Sequence, residues 1–257
     1  MIVFTTDLDN TMIFSYKHDI GEGRVCAEVY QGREISFVTP RTAGLLKEVN
    51  DAVLLVPTTT RTLEQYNRID LGIGVPKLAM VCNGGVLLEN GVENDDWYKE
   101  SLRLTEGARE QIHLSEKLLD KDERRTFEVR NIRDLFVFTK CDDPEISVEA
   151  LKKSLDTDIV DVFNNGVKVY VVPKALSKGR AIERLREKLS ADIMIAAGDS
   201  EFDITMLNAC DIPIAPGSLA DIAKLPDNTV VIGESEGIFS DRVLECVLKC
   251  AKDYSSN

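Results

Sequence analysis

Long apolar runs are missing from this chain of 257 residues. None approaches the ~18–20 consecutive apolar residues that span a bilayer, so no membrane segment is expected. No positively charged segment with an apolar stretch precedes the first strand-like run, which points away from a secretory leader and towards the cytoplasm. Positive charge is also scarce: 31 Lys and Arg stand against 44 Asp and Glu, a net charge of −13. A broad nucleic-acid surface needs clustered Lys and Arg, so nucleic acid is not an expected partner. Metal or redox pairs of cysteines are lacking as well. Cys26, Cys82, Cys141, Cys210, Cys246 and Cys250 form no Cys-x-x-Cys. Cys246 and Cys250 are four apart on a helical pattern, but no nearby His or further Cys completes a site. The set fits a reducing compartment. There is no fixed-period repeat and no low-complexity tract, and nothing in the pattern fixes an oligomeric state.

What the chain does have is a series of short apolar runs ending in polar turns. Met1-Ile2-Val3-Phe4 leads to Asp7-Leu8-Asp9-Asn10-Thr11. Ala52–Val56 leads to Pro57 and three threonines, Leu78–Cys82 to Asn83-Gly84-Gly85, and Asp192–Ala197 to Gly198-Asp199-Ser200; Ile212–Ala215 and Val230–Ile232 follow. Near-continuous apolar strands suit a parallel sheet covered on both faces. Helical spacing appears between them, over Thr42–Val49, Lys178–Leu189 and Asp241–Ala251. Strand–helix alternation predicts a doubly wound α/β core. Val25–Tyr30 and Glu34–Phe37, joined at Gln31-Gly32, read as a hairpin that could flap over the first acidic motif.

Residues 86–173 break the alternation. Helices over Glu106–Leu119 and Val148–Leu155 mix with strands over Phe127–Val129 and Leu135–Thr139, and with a hairpin Ile159–Phe163 to Val167–Val172 turning at Asn164-Asn165-Gly166. This predicts an α+β unit at 86–173 inserted into a core of 1–85 and 174–257. Ser255-Ser256-Asn257 is expected to fray.

Polar residues stand where core strands end, which is where open parallel sheets bind ligands. Asp7 and Asp9 are separated by one residue, and two clustered carboxylates need a cation or shared protons. Alone, each polar point has an ordinary reading as a turn or a solvated charge. Together they supply the parts for metal-assisted phosphoryl transfer. Asp7 is the candidate nucleophile and Asp9 the candidate general acid and base. Asp199 can join Asp7 in holding Mg²⁺, which prefers oxygen ligands and retains waters. Thr59 can donate its hydroxyl to phosphate. Lys178 opens a helix and can face a phosphate together with the helix N-terminus. Asp203 can orient Lys178 or a metal-bound water. An anionic substrate in so acidic a chain requires such a locally positive site.

These stretches resemble a known family. Asp7-Leu8-Asp9-Asn10-Thr11, the threonines before Arg61, Ser177-Lys178-Gly179 and Gly198-Asp199-Ser200-Glu201-Phe202-Asp203 are similar, in order and spacing, to the four motifs of the haloacid dehalogenase superfamily. The insert resembles the large α/β cap of its Cof-type and sucrose-phosphatase-like phosphatases, and Asn83-Gly84-Gly85 resembles their cap entry. The resemblance implies a Rossmannoid core, an aspartyl-phosphate on Asp7, and Asp9 as general acid/base. It implies Thr59 (with Thr58 as the alternative) and Lys178 on phosphate. It also implies Mg²⁺ on Asp7, Asp199 and the backbone carbonyl of Asp9, with Asp203 close behind. The expected partner is a small phosphorylated metabolite, with a sugar phosphate implied by the resemblance alone. Asn10 replaces the usual Gly, and Phe202 replaces the usual Asn before the final Asp. Arg124, Arg125, Arg130, Arg133, Lys140 and Lys168 make the cap richer in positive charge and are candidates to touch a second anionic group. A phosphotransferase or mutase would share this core. A non-catalytic phospho-accepting regulator would leave Asp9 without a task and the insert unexplained.

Overall fold

The computed structural model describes residues 1–255. Of the three C-terminal residues expected to fray, Ser255 closes the helix Phe239–Ser255, and residues 256 and 257 lie outside the described residues. The chain forms two compact units, Met1–Asn94 with the chain from Lys178 onward, and Asp95–Ser177.

The first unit is built on five parallel strands in the order Val230–Ile232, Ile212–Pro216, Ile193–Ala197, Ile2–Thr6, Leu54–Pro57. Ile2–Thr6 is buried throughout, as a strand covered on both faces must be. One face carries Phe4, Leu55, Ile195 and Ile214 into a core shared with Leu46, Val49, Val243, Leu244 and Val247 of the helices Pro40–Ala52 and Phe239–Ser255. Helix Lys178–Leu189 buries Ala181, Ile182 and Leu185. The second strand of the sheet in chain order lies on one side of Ile2–Thr6 and the third on the other. The order therefore reverses at Ile2–Thr6, and that is the crevice where such sheets bind ligands. Among the described residues no helix is long and apolar enough to cross a membrane.

The Leu78–Cys82 run departs from the expected parallel sheet. Leu78–Val81 pairs antiparallel with Val86–Glu89, which pairs with Val92–Glu93, and it meets the Leu54–Pro57 edge through a single parallel bridge, Thr58 to Met80. This also corrects the boundary drawn at 85/86. The strands after Asn83-Gly84-Gly85 are zipped back onto Leu78–Val81, so the second unit begins at Asp95 and ends at Ser177.

The hairpin comprises Val25–Tyr30 and Arg33–Val38, with Phe14–Ser15 added beside the latter. Gln31 and Gly32 both have positive φ, 50° and 75°, the turn geometry that matches strand twist in a two-residue loop.

In the second unit, helices Arg109–Asp120 and Pro144–Ser154 cover one face of a four-stranded antiparallel sheet, Val160–Asn165, Lys168–Pro173, Phe136–Lys140, Arg130–Ile132. Ile112, Leu119, Val148 and Leu151 meet Val137, Val162, Val169 and Val171 there. The opposite face carries Phe163, Tyr170 and Phe138 in a stack with ring centroids 5.7 Å apart, continued by Phe127 at 6.5 Å. Phe127–Val129, expected as a strand, is irregular. The Phe127 carbonyl accepts from the Thr139 hydroxyl and from Arg125 in place of a ladder partner. Helix Asp95–Thr105 lies outside the helices expected in this unit. Its buried face is Trp97, Ser101 and Thr105, whose hydroxyls bond back to the carbonyls of Trp97 and Ser101. The positive charge of this unit is partly balanced internally: Arg124 pairs with Asp122, Arg125 with Asp120 and Arg130 with Glu128.

Candidate active site

Asp7 follows the last residue of strand Ile2–Thr6, and its N–H donates to the Ala197 carbonyl of the neighbouring strand at 2.9 Å. That bond sets the two strand ends level at the switch point. Asp199, two residues past Ala197, is thereby brought opposite Asp7. Carboxylate oxygens of Asp7, Asp199 and Asp203 all lie within 4.8 Å of one another. Lys178, the first residue of its helix and 1% exposed, enters from a third element. Its ammonium donates to Asp7 Oδ1 at 2.5 Å and to Asp203 Oδ1 at 2.6 Å.

Two glycines permit this convergence. A Cβ on Gly179 would lie 2.3 Å from the Thr205 carbonyl oxygen, and one on Gly198 would lie 2.3 Å from the Asp203 Cβ. The lysine helix and the Asp199 turn can approach their neighbours this closely only without a side chain at these places. Asp203 is itself fixed, its Oδ2 accepting from the N–H groups of Asp199 and Ser200 and from the Ser200 hydroxyl.

The electrostatics are one-sided. Burial pushes the Asp7 carboxyl well above its ordinary range, with Lys178 opposing and Asp203, Asp199 and Asp9 adding to the rise. Burial and then the Asp203 charge push Asp199 up to about 7. Burial would depress the Lys178 ammonium, but Asp203 and Asp7 outweigh it and hold the proton more firmly than on a free lysine. Three carboxylates therefore face one ammonium.

Asp9 lies apart from that cluster. Its carboxylate is half exposed and is clamped by Arg61 through both oxygens, Nε to Oδ2 at 2.8 Å and Nη2 to Oδ1 at 2.7 Å. Asn10 has a φ of +60°, which accounts for Asn at a position the motif usually gives to Gly, since Asn tolerates the left-handed region best among side-chain-bearing residues. Thr58 and Thr59 are both fully buried. The Thr58 hydroxyl donates to the Val56 carbonyl at 3.2 Å, whereas the Thr59 hydroxyl accepts the Arg61 N–H at 3.1 Å and keeps its own proton for another acceptor. The loop they occupy is held by the turn at Cys82-Asn83, both at positive φ. The N–H groups of these two residues donate to the Arg61 and Thr59 carbonyls at 2.8 and 3.0 Å.

Three contributors escaped the sequence reading as site residues. Thr11, in the first motif itself, donates its hydroxyl to Asp199 Oδ1 at 3.0 Å. Arg61, which in the sequence only closes the threonine motif, spans Asp9 and Glu28 with its guanidinium. Glu28 lay in an otherwise ordinary hairpin strand.

A family profile described as haloacid dehalogenase-like hydrolase matches residues 86–231, more than half of the chain. A stretch of 80 residues is 35% identical to the phosphoglycolate phosphatase of Sulfurisphaera tokodaii, covering 30% of this chain and 34% of that protein. The chain thus matches about a third of that curated relative's length. Among solved structures, the sucrose-phosphatase of Synechocystis, determined with sucrose and phosphate, is similar over 96% of this chain and 97% of that one, with a TM-score of 0.62 and 15% identity. A Thermoplasma acidophilum protein is similar over 98% of both chains, with a TM-score of 0.60 and 13% identity. At these identities the structural likeness speaks for the fold alone.

Proposed function

Because the chain belongs to the haloacid dehalogenase-like hydrolases, we propose that it is a Mg²⁺-dependent phosphatase of a small phosphorylated metabolite, working through an aspartyl-phosphate on Asp7. The observation that carries this reading is the Lys178 ammonium seated between Asp7 and Asp203 at 2.5 and 2.6 Å, with Asp199 in the same cluster.

In the first step a carboxylate oxygen of Asp7 attacks phosphorus and the bond to the leaving oxygen breaks, while Asp9 gives that oxygen a proton. In the second, water attacks the same phosphorus, Asp9 takes the water's proton, and the bond to Asp7 breaks to release phosphate. Lys178 and the Thr59 hydroxyl hold phosphate oxygens through both steps. The residues fit a hard divalent cation: the donors are all oxygen, and the three carboxylates outnumber the one ammonium beside them. Asp7, Asp199 and the Asp9 carbonyl would hold Mg²⁺, with Asp203 behind. When bound, the ion supplies the positive charge that lets a carboxylate approach an anionic phosphate.

The unit Asp95–Ser177 is taken as the cap that selects the substrate, and a sugar phosphate is the proposed class. Its support is the likeness of the four motifs and insert to sugar-phosphate phosphatases; the phosphoglycolate phosphatase of Sulfurisphaera tokodaii puts phosphoglycolate beside it as the control. The test is phosphate release from sugar phosphates and phosphoglycolate, with Mg²⁺ and with chelator. Turnover that is lost in chelator and restored by Mg²⁺, with label from isotopic water in the phosphate, is the expected result. No turnover of any substrate by folded, Mg²⁺-loaded protein would overturn the reading.

A further inference from the structure

The hairpin strand Val25–Tyr30 breaks its own alternation. Ala27 and Glu28 are consecutive yet both buried, at 2% and 1% exposure. The ladder with Arg33–Val38 shifts register on either side of Glu28, and such a bulge re-aims a side chain that strict pleating would send outward. Glu28 is thereby turned into the protein beneath the Thr59–Ile69 segment.

A buried carboxylate must be paired and hydrogen-bonded, and Glu28 is. Oε1 accepts from Arg61 Nη1 at 2.9 Å and Arg68 Nε at 3.0 Å; Oε2 accepts from Arg61 Nη2 at 3.0 Å and the Ser36 hydroxyl at 2.8 Å. Arg61 is thus gripped along two edges. One edge, Nη1 and Nη2, lies on Glu28, and the other, Nε and Nη2, lies on Asp9. Backbone contacts tie the two sides together: Asp70 N–H donates to the Ala27 carbonyl at 2.8 Å, and Glu28 bridges Ile69.

The structure assigns Glu28 as the positioning residue for Asp9, acting through the Arg61 guanidinium. The inference rests on the proposed role of Asp9 as proton donor to the leaving oxygen. A planar guanidinium fixed by two bidentate contacts transmits direction. With Glu28 holding its far edge, Arg61 can present its near edge at one angle, and the half-exposed Asp9 carboxyl stays aimed at the leaving oxygen. Without Glu28 the arginine retains its charge and loses its fixed plane. Small misplacements of a proton donor are costly to the step that uses it.

Leaving groups separate this role from a merely structural one. An alkyl phosphate needs protonation of its leaving oxygen, and p-nitrophenyl phosphate, whose leaving group is a weak base, barely does. The quantity kcat/KM reports events up to departure of that group and excludes the later hydrolysis of the phospho-enzyme. For Glu28→Gln, kcat/KM on the alkyl phosphate divided by that on p-nitrophenyl phosphate is expected to fall roughly tenfold or more, towards the ratio of Asp9→Asn. Adding Glu28→Gln to Asp9→Asn should leave that ratio within about threefold of Asp9→Asn alone, since residues acting as a unit are not additive. An unchanged ratio in Glu28→Gln overturns the inference, as does a further fall in the Asp9→Asn background. If Asp9→Asn itself leaves the ratio at the wild-type value, the proton-donor role fails and the inference fails with it. If Glu28→Gln does not fold, Arg61→Lys decides: it keeps one charge beside Asp9 without the two-edged grip. The same fall in ratio is expected there, and its absence overturns the inference.

Discussion

Two charge clusters stand within the same core unit, and they are built on opposite plans. Around Lys178, three carboxylates share one ammonium. Around Arg61, two carboxylates, Asp9 and Glu28, meet two guanidiniums, Arg61 and Arg68. The proton affinities follow. Asp7 and Asp199 are both raised, by burial above all and then by the Asp203 charge, with Lys178 opposing. Glu28 is lowered: burial pushes it up, but the bonds from Arg61, Ser36 and Arg68 outweigh it. The first cluster is short of a cation and suits a site that takes one up. The second is complete in itself and suits a scaffold. Removing a carboxylate should therefore have opposite consequences in the two places.

The largest expected effect follows directly. Asp7→Asn should lower phosphate release by about a thousandfold or more, the scale seen when a nucleophile is removed. Its unfolding free energy should stay within about 1 kcal/mol of wild type or exceed it, because a member of a mutually repelling set becomes neutral and Lys178 keeps Asp203. Glu28→Ala should cost about 3–5 kcal/mol, because it opens a buried gap, takes the carboxylate from Arg68 and leaves Arg61 held by Asp9 on one edge only. Urea denaturation of both proteins in chelator checks the contrast. Equal losses would mean that the clusters do not differ in the way their charges imply.

The first cluster was legible in the sequence because Asp7 and Asp199 follow apolar runs, Lys178 opens a patterned helix, and Asp203 lies within one turn of Asp199. Asp7, Asp199 and Lys178 are tied to strand ends and a helix start, and parallel pairing then has little freedom in where it puts them. The second cluster was not legible. Glu28 faces inward only because a bulge interrupts the alternation, and nothing in Val25-Cys26-Ala27-Glu28-Val29-Tyr30 marks the bulge. Helix Asp95–Thr105 is harder to read: of its three buried residues only Trp97 is apolar, and the hydroxyls of Ser101 and Thr105 bond their own backbone. The strand Leu78–Val81 was found, but its sheet was not, because an apolar run does not state which partner it will take.

The clusters should also respond to pH with opposite sign. In metal-free protein Asp199 titrates at about 7 against an ordinary value of 3.8. An acid whose folded value is raised binds protons more readily folded than unfolded, so stability rises as pH falls from above 7 and the gain is complete near the ordinary value. Glu28 is lowered from 4.5. Its contribution is present above that ordinary value and is lost as pH falls through the lower folded one. Chelated protein should thus melt higher at pH 5.5 than at pH 7.5, and more acidic solution should reverse the trend. At pH 7.5, saturating Mg²⁺ should raise the melting temperature, corresponding to about 2.7 kcal/mol at a hundred times Kd. Asp199→Asn should lose most of that rise. A rise as large in the variant would remove Asp199 from the proposed Mg²⁺ ligands.

The smallest expected effect tests how the balanced cluster divides its work. Arg68 gives Glu28 one bond at 3.0 Å and lies over the Tyr30 ring at 4.6 Å, with its side chain about a quarter exposed. Arg68→Ala leaves Glu28 with both Arg61 bonds and the Ser36 hydroxyl, so no buried charge is stranded. The cost should be about 1 kcal/mol, the scale of one partly screened ion pair and one exposed cation–π contact. It should leave the ratio of alkyl to aryl phosphate turnover near that of wild type, because the two-edged grip on Arg61 survives. A fall in that ratio as large as the one expected for Glu28→Gln would mean that Asp9 is aimed by the whole quartet of charges and not by the guanidinium plane alone.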